Sequence, residues 1–296
     1  MRVLRLLPLI HPGIWKNIHK EVSVYPTLFR IGALEIRSYG LLLALSFLIG
    51  IYLSVKRAKS RGIDPNHIMD LSVILIVSAI VGSRLLYVLF HLDEFKGRWL
   101  DTINPFQSSG QIGIAGLTVL GGIILCVISS FIYLRIRKLP FFKFADILMP
   151  AVGLGIFLTR IGCYLNGCCY GVPCDEHSLF CVEFPYNSPA GSHFPGMPLV
   201  PAQLYSALYG LIIFIGLLVA ERYQKFDGFL LALFFILYGI GRFIVDIYRY
   251  YEDSMVILSI DAWSMSLNQG ISLIMVIVGI IYILIGYSRL KSRASS

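Results

Sequence analysis

Charged residues are scarce in this chain. Asp, Glu, Lys and Arg make up 14% of its 296 residues, whereas 57% are hydrophobic and the mean hydropathy is +0.76. This composition excludes an ordinary soluble globule and is typical of a polytopic membrane protein, for which we predict a single membrane domain. Because no basic motif is interleaved with stacking aromatics, we expect no nucleic-acid partner. The formal net charge of +8 suits membrane lipid with anionic headgroups instead.

A cleavable signal peptide is also missing from the pattern. The apolar core within residues 1–10 is shorter than the ~7–15 residues of a typical signal peptide, and no small-residue cleavage site follows it. We therefore expect insertion to use the first spanning helix. Residues 1–37 would then form an N-terminal surface segment.

Long apolar runs are what the sequence has in abundance. Seven of them, at roughly twenty residues each, can cross the hydrocarbon core of a membrane. Backbone polar groups in lipid must be satisfied within the segment, so each run should be an α-helix. The predicted spans are 38–55, 68–90, 112–134, 144–165, 200–220, 228–247 and 267–287. The fold class is thus an all-α membrane domain over residues 38–290, with a long outward loop (166–199) and a short tail (291–296).

The positions of the basic residues predict the orientation. The first, third and fifth connections and the C-terminal tail hold thirteen Lys and Arg residues, whereas the second, fourth and sixth connections hold three. By the positive-inside rule the C-terminus is cytoplasmic and, with seven crossings, the N-terminus is outside. The N-terminal segment disagrees, because it holds six basic residues. An amphipathic segment lying along the outer surface would keep these charges in water.

Three predicted helices carry an arginine in the outer half of the membrane. Arg84 lies late in the second helix, Arg160 ends the fourth, and Arg242 lies in the sixth. Three guanidinium groups at comparable depth would repel one another without an anion among them. Because guanidinium forks match phosphate oxygens, we expect a phospholipid headgroup drawn into the bundle. The alternative is three unrelated side chains whose charged tips reach interfacial water.

The sixth helix has the clearest arrangement of polar side chains. These are Tyr238, Arg242, Asp246 and Arg249. At 100° per residue they fall within roughly 80° of one another, on one face of an otherwise apolar helix. That face should point into a bundle or a wet cavity. The alternative is an Arg242–Asp246 pair that only holds helices together, with Arg249 reaching the outer surface.

Further polar side chains are expected at the outer ends of the first and fifth helices. Tyr39 begins the first helix, and Pro201 begins the fifth just before Gln203 and Tyr205. These side chains would serve either as interfacial anchors or as hydrogen-bonding groups around the headgroup. A glycine-rich run over 116–122 lies in the third helix, where glycine allows either close helix packing or a close approach of backbone to a ligand.

Five of the six cysteines crowd the outer end of the fourth helix, and Cys126 lies alone in the third. The five are Cys163, Cys168, Cys169, Cys174 and Cys181. Facing an oxidising compartment, they are expected to form one or two disulfides. Their spacing lacks the C-x2-C pairs typical of zinc sites, so no metal is predicted even with His177 and His193 nearby. A catalytic thiol is not favoured either, because no histidine lies within the motif to act as a base.

Together these residues resemble the prolipoprotein diacylglyceryl transferase family over residues 39–286. The matching stretches are 37–40, 82–84, 116–122, 160–171, 201–205, 238–249 and 268–270. The resemblance implies seven helices in the bacterial cytoplasmic (inner) membrane with an outside N-terminus. It also implies transfer of diacylglyceryl from phosphatidylglycerol to the lipobox cysteine of a prolipoprotein signal peptide, with release of glycerol phosphate and without a cofactor.

The resemblance further implies roles for individual residues. Arg160 and Arg242 would hold the phosphate and Tyr238 would orient it, while Asn166 and Gly171 would shape the site. The attacking sulfur belongs to the substrate, so the enzyme needs no nucleophile of its own. The other residues predicted to contact substrate are Tyr39, Arg84, Gln203, Tyr205, Asp246, Arg249, Gly121 and Gly122.

The chain departs from the family pattern at several positions. Where the family commonly has a histidine before two glycines, this chain has Leu120, which cannot accept a proton. Cys163 stands at a common asparagine, Cys168 at a common glutamate, and Val200 at a common histidine. Either water, Tyr238 or another group replaces the missing histidine, or the copy is weak or inactive. The alternative functions are therefore a non-catalytic phospholipid-binding paralogue, an anion transporter or a thiol-redox membrane protein.

Overall fold

The computed structural model describes residues 20–21, 24–31, 34–95, 118–174, 180–250, 256–260 and 263–295. Within these residues, seven helices are long and apolar enough to cross a membrane, which confirms the predicted number. They are α1 (Ser38–Ser60), α2 (Pro65–Phe90), α3 (Val119–Ile136), α4 (Phe141–Asn166), α6 (Ala202–Ala220), α7 (Phe229–Ile247) and α8 (Leu267–Ser295), and a short helix, α5 (Pro189–His193), lies in the long loop. The chain is a multi-pass membrane protein.

The helix ends follow local chemistry. At the start of α2 the Asp64 carboxylate accepts a hydrogen bond from the Asn66 N–H at 2.9 Å, and Pro65 occupies the first turn. The α1 helix continues to Ser60, beyond the predicted end at residue 55, because its basic last turn is still helix-forming although it is no longer apolar. The predicted start of the third helix at residue 112 lies outside the described residues, and α3 begins at Val119.

Short strands, which the sequence pattern did not predict, accompany the helices. They are β1 (Lys20–Glu21), β2 (Thr27–Ile31), β3 (Leu34–Arg37), β4 (Val182–Glu183), β5 (Pro198–Leu199), β6 (Val256–Ile260) and β7 (Trp263–Ser266). The β2–β3 hairpin leads into α1, and the β6–β7 hairpin joins α7 to α8. The order β1-β4-β5 forms a small sheet, parallel between β1 and β4 and antiparallel between β4 and β5, which ties the long loop to the N-terminal segment.

The chain forms two compact units. The first contains residues 1–50 and 148–296, and the second contains residues 51–147. The predicted grouping of all seven helices into one domain stays a prediction.

The core of the first unit lies between α6 and α7. Buried residues of α6 recur at the helical period, at Tyr209, Ile213 and Leu217, and meet Leu230 and Phe234 of α7. Glycines let α8 approach α7 closely, since a Cβ at Gly239 or Gly279 would lie 2.6 Å from a backbone carbonyl oxygen of the other helix.

The second unit contains an equally close contact between α2 and α3. A Cβ at Gly82 would lie 2.4 Å from the Gly121 carbonyl oxygen, and one at Gly121 would lie 2.2 Å from the Gly82 carbonyl oxygen. Near the end of α1, the buried Arg57 guanidinium donates to the carbonyl oxygens of Asp146 and Ile147 at 3.0 and 3.1 Å. These hydrogen bonds fix the beginning of α4 against α1 within this unit.

Candidate active site

The polar face of α7 is anchored by a buried ion pair. An Arg242 nitrogen lies 3.4 Å from an Asp246 carboxylate oxygen, and both side chains are buried. The other Asp246 oxygen accepts a hydrogen bond from the Ser266 hydroxyl just before α8. Ser266 also accepts from the Gln269 N–H at 3.1 Å, and Gln269 accepts from the Ser266 N–H at 3.1 Å, which is a capping box. The start of α8 therefore fixes Asp246, and Asp246 orients Arg242.

Tyr209 marks the place where arginines from different elements meet. This α6 tyrosine is 8% exposed, and its ring packs edge-on against Tyr238 at 6.1 Å. It interacts electrostatically with Arg160 of α4, Arg242 of α7 and Arg249. Of the three arginines that the sequence grouped, Arg160 and Arg242 both act on Tyr209 in the first unit, whereas Arg84 lies in the second unit. We call these three arginines around Tyr209 the arginine site. Tyr209 was not among the site residues predicted from the sequence, although it lies one helical turn after Tyr205 on the same face of α6.

Arg249 reaches the arginine site from outside the helix. Because α7 ends at Ile247, Arg249 is not on the helix face that the periodicity predicted. It forms an isolated backbone bridge with Gly171 of the long loop. The Gly171 N–H donates to the Val200 carbonyl at 2.9 Å, and a Cβ at Gly171 would lie 2.5 Å from the carbonyl oxygens of both Tyr248 and Val200. Only glycine fits there, so Gly171 shapes the site through its backbone.

A second group of side chains adjoins the arginine site. Cys163 in the last turn of α4 and Cys168 and Cys169 just beyond it place their sulfur atoms within 4.8 Å of one another. We call these three residues the thiol cluster. Arg160 interacts electrostatically with Cys163 and Cys169, and Tyr39 of α1 interacts with Arg160 and all three thiols. The thiol cluster and the arginine site are thus neighbours.

Hydrogen bonds and charge set the chemistry of the thiol cluster. Cys163 is hydrogen-bonded to the other two thiols, and the Asn166 side chain is hydrogen-bonded to Cys168. Hydrogen bonds from Cys163 and Cys168, together with the positive charges of Arg249 and Arg160, lower the pKa of Cys169. From the sequence, the lack of C-x2-C pairs predicted no metal site, and the grouping of these three thiols was not foreseen.

The other cysteines of the long loop have a different state. Cys174 and Cys181 form a disulfide, which agrees with the expectation of at least one, whereas the thiol cluster is free. His193 lies among Tyr170, Phe194 and Tyr250 and is not part of the metal-competent group found in the described residues. His177 lies outside the described residues.

Two buried polar atoms point to a ligand near these groups. Gln203 is fully buried, and its amide nitrogen donates to the Cys168 carbonyl at 2.9 Å. Within the described part of the chain, no hydrogen-bond partner reaches the Gln203 Oε1 or the Tyr209 hydroxyl. Buried polar atoms are nearly always hydrogen-bonded, so both are suited to contact a bound molecule. Tyr205, one helical turn before Tyr209, packs edge-on against Tyr248 at 6.0 Å.

Comparison with known proteins identifies a family to which this chain is similar. The family model described as prolipoprotein diacylglyceryl transferase matches residues 26–285. The chain belongs to the prolipoprotein diacylglyceryl transferase family. It is similar to the phosphatidylglycerol–prolipoprotein diacylglyceryl transferase of Clostridium tetani, with 31% identity over 86% of this chain and 95% of the relative. The phosphatidylglycerol–prolipoprotein diacylglyceryl transferase 1 of Clostridium perfringens is 32% identical over 90% of this chain and 97% of the relative. The Finegoldia magna transferase is 33% identical over 86% of this chain and 92% of the relative.

Four residues that the resemblance to this transferase family singled out lie in the second unit. The Arg84 guanidinium carbon is 5.0 Å from the centre of the Phe95 ring and 5.7 Å from that of Tyr87, which gives cation–π contacts. Gly121 and Gly122 lie where α3 crosses α2, in agreement with the packing interpretation. Leu120, at the position of the family histidine, is 50% exposed in the first turn of α3. Contacts of Arg84 and the two glycines with substrate stay predictions.

Proposed function

We propose that this chain transfers the diacylglyceryl group of phosphatidylglycerol to the lipobox cysteine of a prolipoprotein. The reaction takes place in the bacterial cytoplasmic membrane, forms a thioether and releases glycerol phosphate. The meeting of Arg160, Arg242 and Arg249 around Tyr209 is the observation that carries this proposal. Guanidinium groups match the oxygens of a phosphate, so a phosphate would bind among them.

The charge of the arginine site suits the departing group better than the intact lipid. Three guanidinium groups bring positive charge to Tyr209, and one of them, Arg242, is paired with the Asp246 carboxylate. The phosphodiester of phosphatidylglycerol carries one negative charge, and the released monoester carries about −1.5 to −2. Fixed positive charge therefore stabilises the transition state more than the bound substrate, which is the requirement for catalysis.

Tyrosine, amide and backbone groups complete the proposed headgroup site. The Tyr209 hydroxyl and Gln203 Oε1 are available for the glycerol hydroxyls or the phosphate. Tyr238 lies against Tyr209 and interacts with Arg160, which places it to orient the phosphate. Asn166 is hydrogen-bonded to Cys168 and Gly171 is bridged to Arg249, so both would shape the edge of the headgroup site.

One observation favours a second candidate function. Leu120 removes the proton acceptor that the family commonly has, and a chain with an intact arginine site but no base would bind phosphatidylglycerol without transferring its lipid. Measuring binding and transfer on the same preparation separates the two functions.

The proposed function is tested by weighing a peptide. Purified full-length protein is incubated with phosphatidylglycerol vesicles and a lipobox peptide, alongside the same peptide with serine in place of its cysteine. We expect a diacylglyceryl mass gain on the cysteine peptide alone, a loss of roughly 10²-fold or more in rate for Arg160→Ala, and an unchanged rate for the exposed control Arg222→Ala. Bound lipid without any mass gain would replace the transferase with the lipid-binding function.

A further inference from the structure

The thiol cluster is held in place by hydrogen bonds from several directions. Gly167, with φ +70°, turns the chain back at the end of α4, and the Cys168 N–H donates to the Cys163 carbonyl at 3.0 Å. The buried Gln203 amide donates to the Cys168 carbonyl at 2.9 Å. Cys169 has φ 59°, a left-handed conformation that costs a non-glycine residue of order 1 kcal/mol. The backbone thus accepts strain in an arrangement that gathers three thiols.

The geometry of the cluster is close to that of a zinc site. Tetrahedral zinc with sulfur ligands at about 2.3 Å needs sulfur atoms roughly 3.8 Å apart. The three sulfur atoms already lie within 4.8 Å of one another, so small side-chain rotations are sufficient. Thiolates are soft ligands that select zinc over the hard cations magnesium and calcium. Three thiolates around Zn²⁺ leave one negative charge, which the neighbouring Arg160 and Arg249 offset.

The oxidation state of the cysteines in this loop is compatible with metal binding by the thiol cluster. In the same loop Cys174 and Cys181 are joined in a disulfide, whereas the three clustered thiols are free. Coordination would protect these thiols from oxidation, since a zinc-bound sulfur has its lone pair engaged and zinc itself has no redox chemistry.

We propose that Cys163, Cys168 and Cys169 bind one zinc ion whose fourth position takes the thiol of the prolipoprotein substrate. Three protein ligands and one open position are typical of catalytic zinc sites, whereas structural sites have four protein ligands. The identity of the incoming thiol depends on the proposed function. Metal coordination deprotonates a thiol outright, which supplies what Leu120 cannot. The adjacent arginine site would present the lipid phosphate to the same sulfur.

The bonds and charges of the step balance. The substrate thiol displaces a water molecule from zinc, and its proton passes to bulk water. The sulfur electron pair then forms a C–S bond to the carbon of the diacylglyceryl group that carries the phosphate. The C–O bond to the phosphate breaks with its electron pair on oxygen, so the charge of the phosphodiester and of the thiolate both end on the released phosphomonoester. The neutral thioether leaves zinc, and the three protein thiolates are unchanged.

Metal content tests the first half of the proposal. The full-length protein, purified in detergent under reducing conditions, is depleted with a chelator and reloaded with zinc or cobalt chloride. We expect about one ion per chain and, with Co²⁺, the intense thiolate-to-cobalt absorption of a tetrahedral site. Cys168→Ser and Cys169→Ser each remove a ligand, so each should weaken zinc binding by more than the roughly 10–100-fold that loss of an outer-shell partner costs. The matched control Cys126→Ser on α3 should bind zinc normally. No zinc bound by the wild-type protein, or zinc retained at full affinity in both cluster variants, would overturn the site.

The fourth position is tested on the cobalt-loaded protein. Adding a lipobox peptide should shift and intensify the cobalt bands as a fourth sulfur binds, whereas the same peptide with serine at the cysteine should leave the spectrum unchanged. A spectrum that ignores both peptides would make the metal purely structural and overturn the proposal. A normal melting temperature and an intact Cys174–Cys181 disulfide show that each variant is folded.

Failure of this inference can be distinguished from failure of the proposed function. Equal diacylglyceryl transfer by chelated and zinc-loaded protein would overturn the metal proposal and leave the transferase intact. A cobalt spectrum that responds to the cysteine peptide, in a protein that never adds mass to it, would support the thiol site and remove the transferase.

Discussion

Three guanidinium groups converge in a chain in which charged residues are only 14% of the sequence. The sequence grouped two of them, Arg160 and Arg242, because an arginine in an apolar helix needs an anionic partner, but it named Arg84 and not Arg249 as the third. The position of Tyr209 beside these arginines could not be predicted, because a tyrosine in an apolar helix gives no functional signal until its neighbours are known. The thiol cluster was also unpredictable, since it requires the chain to turn back at Gly167 and bring Cys168 and Cys169 against a residue within α4.

Gly171 gives a prediction for a single residue. Gly171→Ala places a methyl group 2.5 Å from the carbonyl oxygens of Tyr248 and Val200, so the bridge to Arg249 must open. We expect destabilisation of about 1–3 kcal/mol and a loss of transfer that exceeds the loss of folded protein, measured by thermal unfolding and the peptide mass assay. The matched control is Gly155→Ala on α4, where a Cβ meets nothing within 4 Å. Equal behaviour of the two variants would show that the bridge does not shape the site.

Among the secondary-structure elements, the number of membrane-spanning helices was predicted correctly from the sequence, whereas some helix ends were not. Length and hydropathy identify a spanning helix, because a bilayer leaves the backbone no other way to satisfy its polar groups. The end of α1 at Ser60 was missed because charge ends an apolar run without ending a helix. The short strands were missed because segments of two to five residues, such as β4 and β6, carry too little alternation to be distinguished from loops.

The contact between α2 and α3 gives a prediction for an element pair. Gly121→Ala would place a Cβ 2.2 Å from the Gly82 carbonyl oxygen, so the two helices must separate. Overpacking of this kind costs about 1–3 kcal/mol, and we expect a lower melting temperature in detergent. Gly155→Ala serves again as the open-space control. If Gly121→Ala unfolds at the wild-type temperature, close packing is not the reason for glycine there, and contact with substrate would become the better explanation.

For the whole molecule, access of an exported substrate to the arginine site depends on the orientation of the chain in the membrane. Thirteen basic residues in one set of connections and the C-terminal tail against three in the other predict a cytoplasmic C-terminus. The long loop, the thiol cluster and the arginine site would then face outward, where an exported prolipoprotein presents its cysteine.

Reporter fusions test this orientation. Green fluorescent protein at the C-terminus should fluoresce, and alkaline phosphatase at the same place should be inactive, because that enzyme needs an oxidising compartment for its disulfides. Alkaline phosphatase fused after residue 187, within the long loop, should be active. The reverse pattern would place the arginine site on the cytoplasmic side, away from exported substrates.

If Arg160 and Arg242 hold one phosphate, a double-mutant cycle on phosphatidylglycerol binding will show that the two side chains are coupled. Affinity is measured by native mass spectrometry for the wild type, Arg160→Lys, Arg242→Lys and the double variant, with lysine keeping the charge but not the fork. If both arginines grip the same phosphate, the two losses are coupled, and the double variant binds about as weakly as the poorer single variant, with a coupling of about 0.5–3 kcal/mol. Losses that simply add would mean that the two arginines act independently and do not hold the same phosphate.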